Sequence, residues 1–366
     1  MVSERGPRIL IAGGGTGGHI IPALAIADEL KTQHGAEMLF AGTARGLESR
    51  LVPQAGYPLE LIRVGQLNKV SLATRARTLL DLPLGFLQCA RLLRRFRPQA
   101  VIGVGGYASG PVMGAAILLG IPTLAFEPNA MPGMANRLVG RWVKAAAVNF
   151  APAARYFRNA QITGIPVRAE FFRLAARPAG APPHLLVFGG SQGARVLNTT
   201  LPLIARGLLE AVPGLTLLHQ AGARHAETTL AAYAASGAPP ERWQVAAFLD
   251  DMPQRFGAAD LVLARSGAST VAELAAAGKP AVLIPFPQAA DDHQRRNAAV
   301  MAQAGAAEVV IEADLTSEKL EAMLVGLLQR PDRLAAMAER ARSLAHPDAA
   351  ERIAQMAMGL AAGPGS

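Results

Sequence analysis

"RILIAGGGTGGHIIPALAIADEL", running from Arg8 to Leu30, is the stretch that decides the fold. An apolar run leads into glycines spaced Gly13-x-Gly15-x-x-Gly18, and then into apolar residues at the spacing of a buried helix face. That succession predicts a strand, a tight turn and a helix. Glycines let the backbone approach a phosphate closely, and the free N–H groups of a helix start can hold one. The same succession returns in "HLLVFGGSQGARVLNTTLPLIARGL", from His184 to Leu208. A chain of 366 residues has room for two cores, so the repeat predicts two α/β domains in tandem.

Outward from these turns, short apolar runs alternate with helical patterns, the signature of parallel sheets covered by helices. Strands are expected near 8–12, 38–42, 59–64, 100–104, 123–126, 146–149 and 161–163. A second set is expected near 185–188, 216–220, 244–248, 261–264, 281–285 and 308–311. Helices are expected over 22–33, 74–95, 194–210, 270–277 and 292–304. The fold class is α/β, with two doubly wound Rossmann-like domains facing across a cleft and ligands beyond the carboxyl ends of the strands. The seam falls near "ITGIPVR" (Ile162–Arg168). We expect an N-terminal domain over 1–164, a C-terminal domain over 165–345, a helix over 346–362 returning to the first domain, and a flexible tail over 363–366.

Composition narrows the function classes. The single cysteine, Cys89, excludes an internal disulfide and suits a reducing compartment. The run "ILIA" is too short for a secretory h-region. The most apolar stretch, Val112–Phe126, is broken by Gly114, Gly120 and Pro122 and falls short of a membrane span. The net charge of +9 favours anionic partners. Nucleic acid is not among them, since zinc-finger spacing and RRM-type aromatics are missing. The excess is local: Lys69, Arg75, Arg77, Arg91, Arg94, Arg95 and Arg97 stand against Asp81 alone between Gln66 and Pro98.

A dinucleotide site would need an acid at the end of the second strand to hold a ribose. That strand ends in Gly42 and Thr43, with Glu48 further on, which disfavours NAD. Three more small-residue turns follow apolar strands: "GVGGYASGP" (Gly103–Pro111), "GGSQGAR" (Gly189–Arg195) and "RSGASTVAEL" (Arg265–Leu274). In the last, Ser266, Ser269 and Thr270 lie at a helix start, where hydroxyls and N–H groups can meet a diphosphate, and Glu273 can either take ribose hydroxyls or merely complement the helix dipole. There is no Walker lysine, no D-x-D triplet and no metal-ligand spacing, so no cofactor or metal is expected.

"GGGTGGHIIPALAIA", "GGYASGP", "EPNAMPGMANR", "TGIPVR", "GGSQGAR", "FLDDM", "RSGASTVAEL" and "DDHQRRNA" follow one another in an order that resembles the MurG family over nearly the full length. Members of that family transfer N-acetylglucosamine from UDP-N-acetylglucosamine to lipid I, undecaprenyl-pyrophosphoryl-N-acetylmuramoyl-pentapeptide, forming lipid II for peptidoglycan. The resemblance implies a GT-B fold, inverting chemistry without a bound metal, and peripheral attachment to the cytoplasmic face of the inner membrane. It further implies roles for single residues. Arg168 would lie against the uracil and the Leu249 backbone would read its edge. Ser191 would contact the nucleotide. Ala268, Ser269, Thr270, Val271, Ala272 and Glu273 would surround diphosphate and ribose. Asn129 and Gln294, the latter beside His293, would hold the donor sugar. Thr16, Gly17 and His19 would face the reacting centre, and Gly15, Gly18, Tyr107 and Ser109 the acceptor. One departure stands out: the family often has histidine and glutamine where this chain has Phe126 and Pro128, on either side of Glu127.

Inverting transfer needs a base near the acceptor hydroxyl and stabilisation of the departing UDP. His19 is the first candidate, because a neutral imidazole can accept a proton near neutral pH; Glu127 is the second. The basic, leucine-rich segment 66–98 is expected to dock on an anionic membrane surface, and other cell-wall synthesis proteins are possible partners. The rival readings are a UDP-N-acetylglucosamine 2-epimerase and a non-catalytic UDP-sugar-binding regulator.

Overall fold

The computed structural model describes residues 6–363 apart from 16, 45, 63–71, 176 and 179, and for 72–83 it describes the backbone alone. Thr16, the side chains of Lys69, Arg75 and Arg77, and the tail from 364 onward therefore lie outside the described residues. The chain divides into two compact units, Met1–Pro166 with Asp348–Ser366, and Val167–Pro347.

The first unit carries β1 (Arg8–Gly13), β2 (Glu37–Gly42), β3 (Leu59–Leu61), β4 (Ala100–Gly105), β5 (Thr123–Glu127), β6 (Ala145–Val148) and β7 (Ala160–Ile162). They form one sheet in the order β3-β2-β1-β4-β5-β6-β7, and every pairing is parallel. The second unit carries β8 (His184–Phe188), β9 (Thr216–Gln220), β10 (Trp243–Ala246), β11 (Leu261–Ala264), β12 (Ala281–Leu283) and β13 (Ala307–Val309). Its sheet, also parallel, runs β10-β9-β8-β11-β12-β13. Both are doubly wound Rossmann-like sheets. Their central strands read as unbroken apolar runs because both faces are covered: Ile9 to Ala12 and Leu261 to Ala264 are fully buried.

Helices close the two cores at helical spacing. In Gly17–His34 the buried residues include Ile20, Ala23, Ala27 and Leu30. In Arg195–Ala211 they include Leu197, Leu201, Ile204 and Leu208, packed over Leu185 and Val187 of β8 and Leu261 and Leu263 of β11. Each of the isoleucine and leucine side chains among these stabilises the fold by about 1.5–3 kcal/mol. The helix Ala349–Ala362 packs against Gly17–His34, β4 and β5.

One boundary differs from expectation in a way that matters for the site. The helix after β1 begins at Gly17 instead of Pro22. Two glycines are poor helix formers and a proline resembles a first helical residue, which is why the pattern points too late. Pro22 inside the helix has no N–H, so the carbonyl of Gly18 loses the donor that a helix would supply.

Candidate active site

In each sheet the strand order reverses at one point, between β1 and β4 in the first unit and between β8 and β11 in the second. Ligands of doubly wound sheets bind outside the carboxyl ends of the strands at these points. The first reversal brings two glycine turns together. Gly14 donates its N–H to the Gly105 carbonyl at 3.3 Å. A Cβ on Gly106 (φ 81°) would lie 2.0 Å from the Gly14 carbonyl oxygen, so the approach requires glycine. His19, in the first turn of its helix, packs against the Gly105 backbone: its Nε2 is 3.1 Å from where a Cβ on that residue would stand, and Nδ2 of Asn136 is 3.9 Å from the same point.

The first glycine turn already holds an anion. Glu48 heads the helix Glu48–Gln54 and is 1% exposed. Its Oε2 accepts from the Gly15 N–H at 2.8 Å, and its Oε1 accepts from Thr43 N–H at 2.9 Å and Thr43 Oγ at 2.8 Å. An acid thus does come to the end of β2, where the sequence suggested none, and it turns inward onto Gly15 and Thr43.

Glu127, at the end of β5, is 2% exposed and has both oxygens engaged. Oε1 accepts from Asn129 N–H at 2.9 Å and Asn129 Nδ2 at 3.2 Å, and Oε2 from Gly133 N–H at 3.1 Å and Asn136 Nδ2 at 2.9 Å. Burial raises its pKa, and the hydrogen bonds from Asn136, Asn129 and Gly133 oppose that shift. Asn136 also donates to the Phe126 carbonyl at 2.9 Å. Of the acceptor-side candidates, Gly15, Gly17 and Gly18 lie at or next to the helix start, and Tyr107 is 44% exposed. Ser109 does not reach a surface: it is 1% exposed, and its Oγ is 2.8 Å from where a Cβ on Gly103 would stand.

In the second unit the reversal gathers Ser191, exposed after β8, and the helix Ala268–Ala277 after β11. Gln220, at the end of β9, ties two turns: its Nε2 donates to the Gly190 carbonyl at 3.0 Å and its Oε1 accepts the Leu249 N–H at 2.9 Å. The Leu249 N–H is thereby engaged within the protein. Ser269, in the first turn of its helix, has a buried hydroxyl with no hydrogen-bond partner. Burial pushes the Glu273 carboxyl up to about 7, with the Arg168 charge pulling it back. The Arg168 guanidinium stands 5.2 Å over the ring of Phe171, which packs edge-on against Phe256. Gln294, in the helix His293–Gln303, accepts the Phe286 N–H through Oε1 at 2.9 Å. Ser266 Oγ donates to the Gln294 carbonyl at 2.8 Å, joining that helix to the turn before Ala268–Ala277. Asp291 and Asp292 enter the helix at φ 53° and 54°, a strained backbone for residues with side chains.

Residues 9–148 match the glycosyltransferase family 28 N-terminal domain, and residues 184–353 match the glycosyltransferase family 28 C-terminal domain. The chain belongs to glycosyltransferase family 28. Among family 28 relatives is the UDP-N-acetylglucosamine--N-acetylmuramyl-(pentapeptide) pyrophosphoryl-undecaprenol N-acetylglucosamine transferase of Anaeromyxobacter dehalogenans, 46% identical across 96% of this chain and 93% of that one. The crystal structure of Acinetobacter baumannii MurG superposes with a TM-score of 0.81 at 32% identity, covering 96% of this chain and 99% of that one. A Listeria monocytogenes structure described as a UDP-N-acetylglucosamine 2-epimerase reaches a TM-score of 0.64 at 13% identity, over 95% of this chain and 94% of that one. That last likeness is one of fold alone.

Sequence reasoning gave no role to three residues that brace these turns. Glu48 lies six positions beyond the end of β2, and only the crowding of Gly42, Gly46 and Gly14 around it hints at its place. Asn136 sits inside the quoted "EPNAMPGMANR" with no role attached. Gln220 is a polar residue at the carboxyl end of a buried strand, which is a readable signal. Among the described residues, no group of three or more His, Cys, Asp or Glu could hold a metal, and no helix is long and apolar enough to cross a membrane.

Proposed function

We propose that this chain transfers N-acetylglucosamine from UDP-N-acetylglucosamine to lipid I, forming lipid II with inversion at the anomeric carbon. The observation that carries this reading is the 46% identity over 96% of the chain to a transferase with that printed name. The geometry of both units agrees with it. The second unit binds the donor: Arg168 against uracil, the Leu249 carbonyl at the base edge, Ser191 and residues Ala268–Ala272 around the diphosphate, Glu273 on the ribose hydroxyls and Gln294 on the sugar. The buried, unpartnered Ser269 hydroxyl at a helix start supports a polar ligand there, and the helix N-terminus stabilises the charge that leaves with UDP. No metal enters the scheme.

The first unit binds the acceptor through Gly15, Gly18 and Tyr107, and Asn129 reaches the donor sugar. His19 takes the proton from the attacking hydroxyl. Glu127 gives up the role of base for that of a scaffold, because two donors already meet each of its oxygens. The lipid tail demands a docking face. Leu84, Leu87 and Leu118 are exposed on two helices of the first unit that pack together, Leu72–Phe96 and Ser109–Leu118, with Arg91 and Arg94 on the former. This face rests on the anionic cytoplasmic leaflet of the inner membrane as a peripheral contact.

The deciding experiment incubates the chain with UDP-N-acetylglucosamine labelled in the sugar and a lipid I analogue. Label in the lipid product is the expected result. Epimerised sugar nucleotide without labelled lipid would move the chain to the epimerases, and UDP-sugar binding without any turnover would make it a regulator. Vesicles of anionic phospholipid should bind the chain in a salt-sensitive way, and charge reversal at Arg75, Arg77 and Arg91 should abolish that binding.

A further inference from the structure

We infer that Glu48 is a positioning residue for the transfer reaction, holding the helix that carries His19 by standing in the glycine turn as a built-in anion. The inference rests on the reading of His19 as the base. Three glycines make room for this side chain. A Cβ on Gly14 would lie 2.1 Å from Oε1, one on Gly46 would lie 1.9 Å from Oε2, and one on Gly42 would lie 2.5 Å from Cγ. The peptide groups of Gly15 are gripped at both ends: its N–H goes to Glu48 Oε2 at 2.8 Å, and its carbonyl accepts the Leu47 N–H at 3.2 Å. The helix Gly17–His34 starts two residues later, with His19 in its first turn. Glu48 is buried, and the three donors it meets among the described residues come from the turn and from Thr43.

An ionised carboxylate is acceptor-only, which suits a ring of donors. A glutamine in its place keeps the shape but must turn its NH2 toward Gly15 N–H or toward the Thr43 pair. Donor then meets donor, and the turn shifts. A displacement of about 1 Å at a reacting group can cost about 100-fold in rate.

The test uses the full chain with UDP-N-acetylglucosamine and a lipid I analogue, at a temperature well below the Tm of each variant. Glu48→Gln should lower kcat by about 100-fold while the affinity for UDP-N-acetylglucosamine, measured by calorimetry, stays within about twofold of wild type. The double variant with His19→Ala should be no slower than His19→Ala alone, because residues acting as one unit are not additive. A wild-type kcat in Glu48→Gln, or a double variant that loses the full product of the two single losses, would overturn the inference. If Glu48→Gln fails to fold, Thr43→Val removes one of the three donors with Glu48 in place. It should show the same non-additive loss at roughly 10-fold, and a wild-type kcat there overturns the inference equally. A wild-type rate in His19→Ala would instead overturn the choice of base, whereas a slow His19→Ala beside a normal Glu48→Gln sinks the role of Glu48 alone.

Discussion

The turn after β1 and the turn after β11 are built from the same parts and are in opposite states. Both follow a buried strand at the reversal of a sheet, and both lead into a helix start rich in small residues. In the first, Glu48 occupies the N–H of Gly15 and both donors of Thr43. In the second, the hydroxyl of Ser269 is buried without a partner. Glycine spacing therefore reports that the backbone can approach an anion. Whether a ligand is that anion depends on which donors the protein has already used, and here the more conspicuous fingerprint belongs to the occupied turn.

Four expectations would break or sharpen this contrast. The largest effect is expected from His19→Ala, which should lower kcat by about 10²- to 10⁴-fold and leave calorimetric binding of UDP-N-acetylglucosamine unchanged. Weakened donor binding in that variant would mean that the first turn holds the nucleotide after all. Gly14→Ala forces a methyl group to 2.1 Å from Glu48 Oε1. The expected cost is about 1–3 kcal/mol of stability, read as a lower denaturant midpoint with an unchanged slope. The same substitution at Gly267, where a Cβ would meet nothing nearer than 3.8 Å, should be milder, in keeping with an open turn.

A third expectation concerns Glu273. With its carboxyl pushed up to about 7 by burial, it is largely protonated at pH 6 and largely ionised at pH 8. The ionised form is the better acceptor for ribose hydroxyls, so affinity for UDP-N-acetylglucosamine should rise with pH, by up to about tenfold across that window. The donor itself has no group titrating there, and Glu273→Gln should flatten the profile. A pH dependence that survives this substitution would shift the ribose contact elsewhere. The smallest effect is expected from Ser269→Ala. One neutral hydroxyl contributes about 0.5–1.5 kcal/mol, so donor affinity should drop several-fold with kcat nearly intact.

Much of the architecture is legible in the chain because parallel strands covered on both faces are plain apolar runs, and each expected run corresponds to a strand. The helix start at Gly17 is hidden because two glycines and Pro22 argue locally for a later start, and tertiary packing of Ile20 and Ala23 overrides them. Candidate ligand groups such as Ser269 and Glu273 stand out because helix-start chemistry is a local signal. Glu48 does not, because its hydrogen bond to Gly15 spans 33 residues and no nearby pattern encodes it. Ser109, beside another glycine turn, also carries a buried hydroxyl without a partner, packed over Gly103.

The helix Ala349–Ala362 lays Ile353, Ala354 and Ala357, all fully buried, onto a unit whose strands were completed by Ile162. During synthesis the first unit thus emerges with a vacancy over β4 and β5 that stays open until the second unit has been made. A chain halted at Pro347 would hold a finished second unit and a first unit still lacking one wall. The helix that follows the second unit in the chain is therefore the one that covers the sheet of the first.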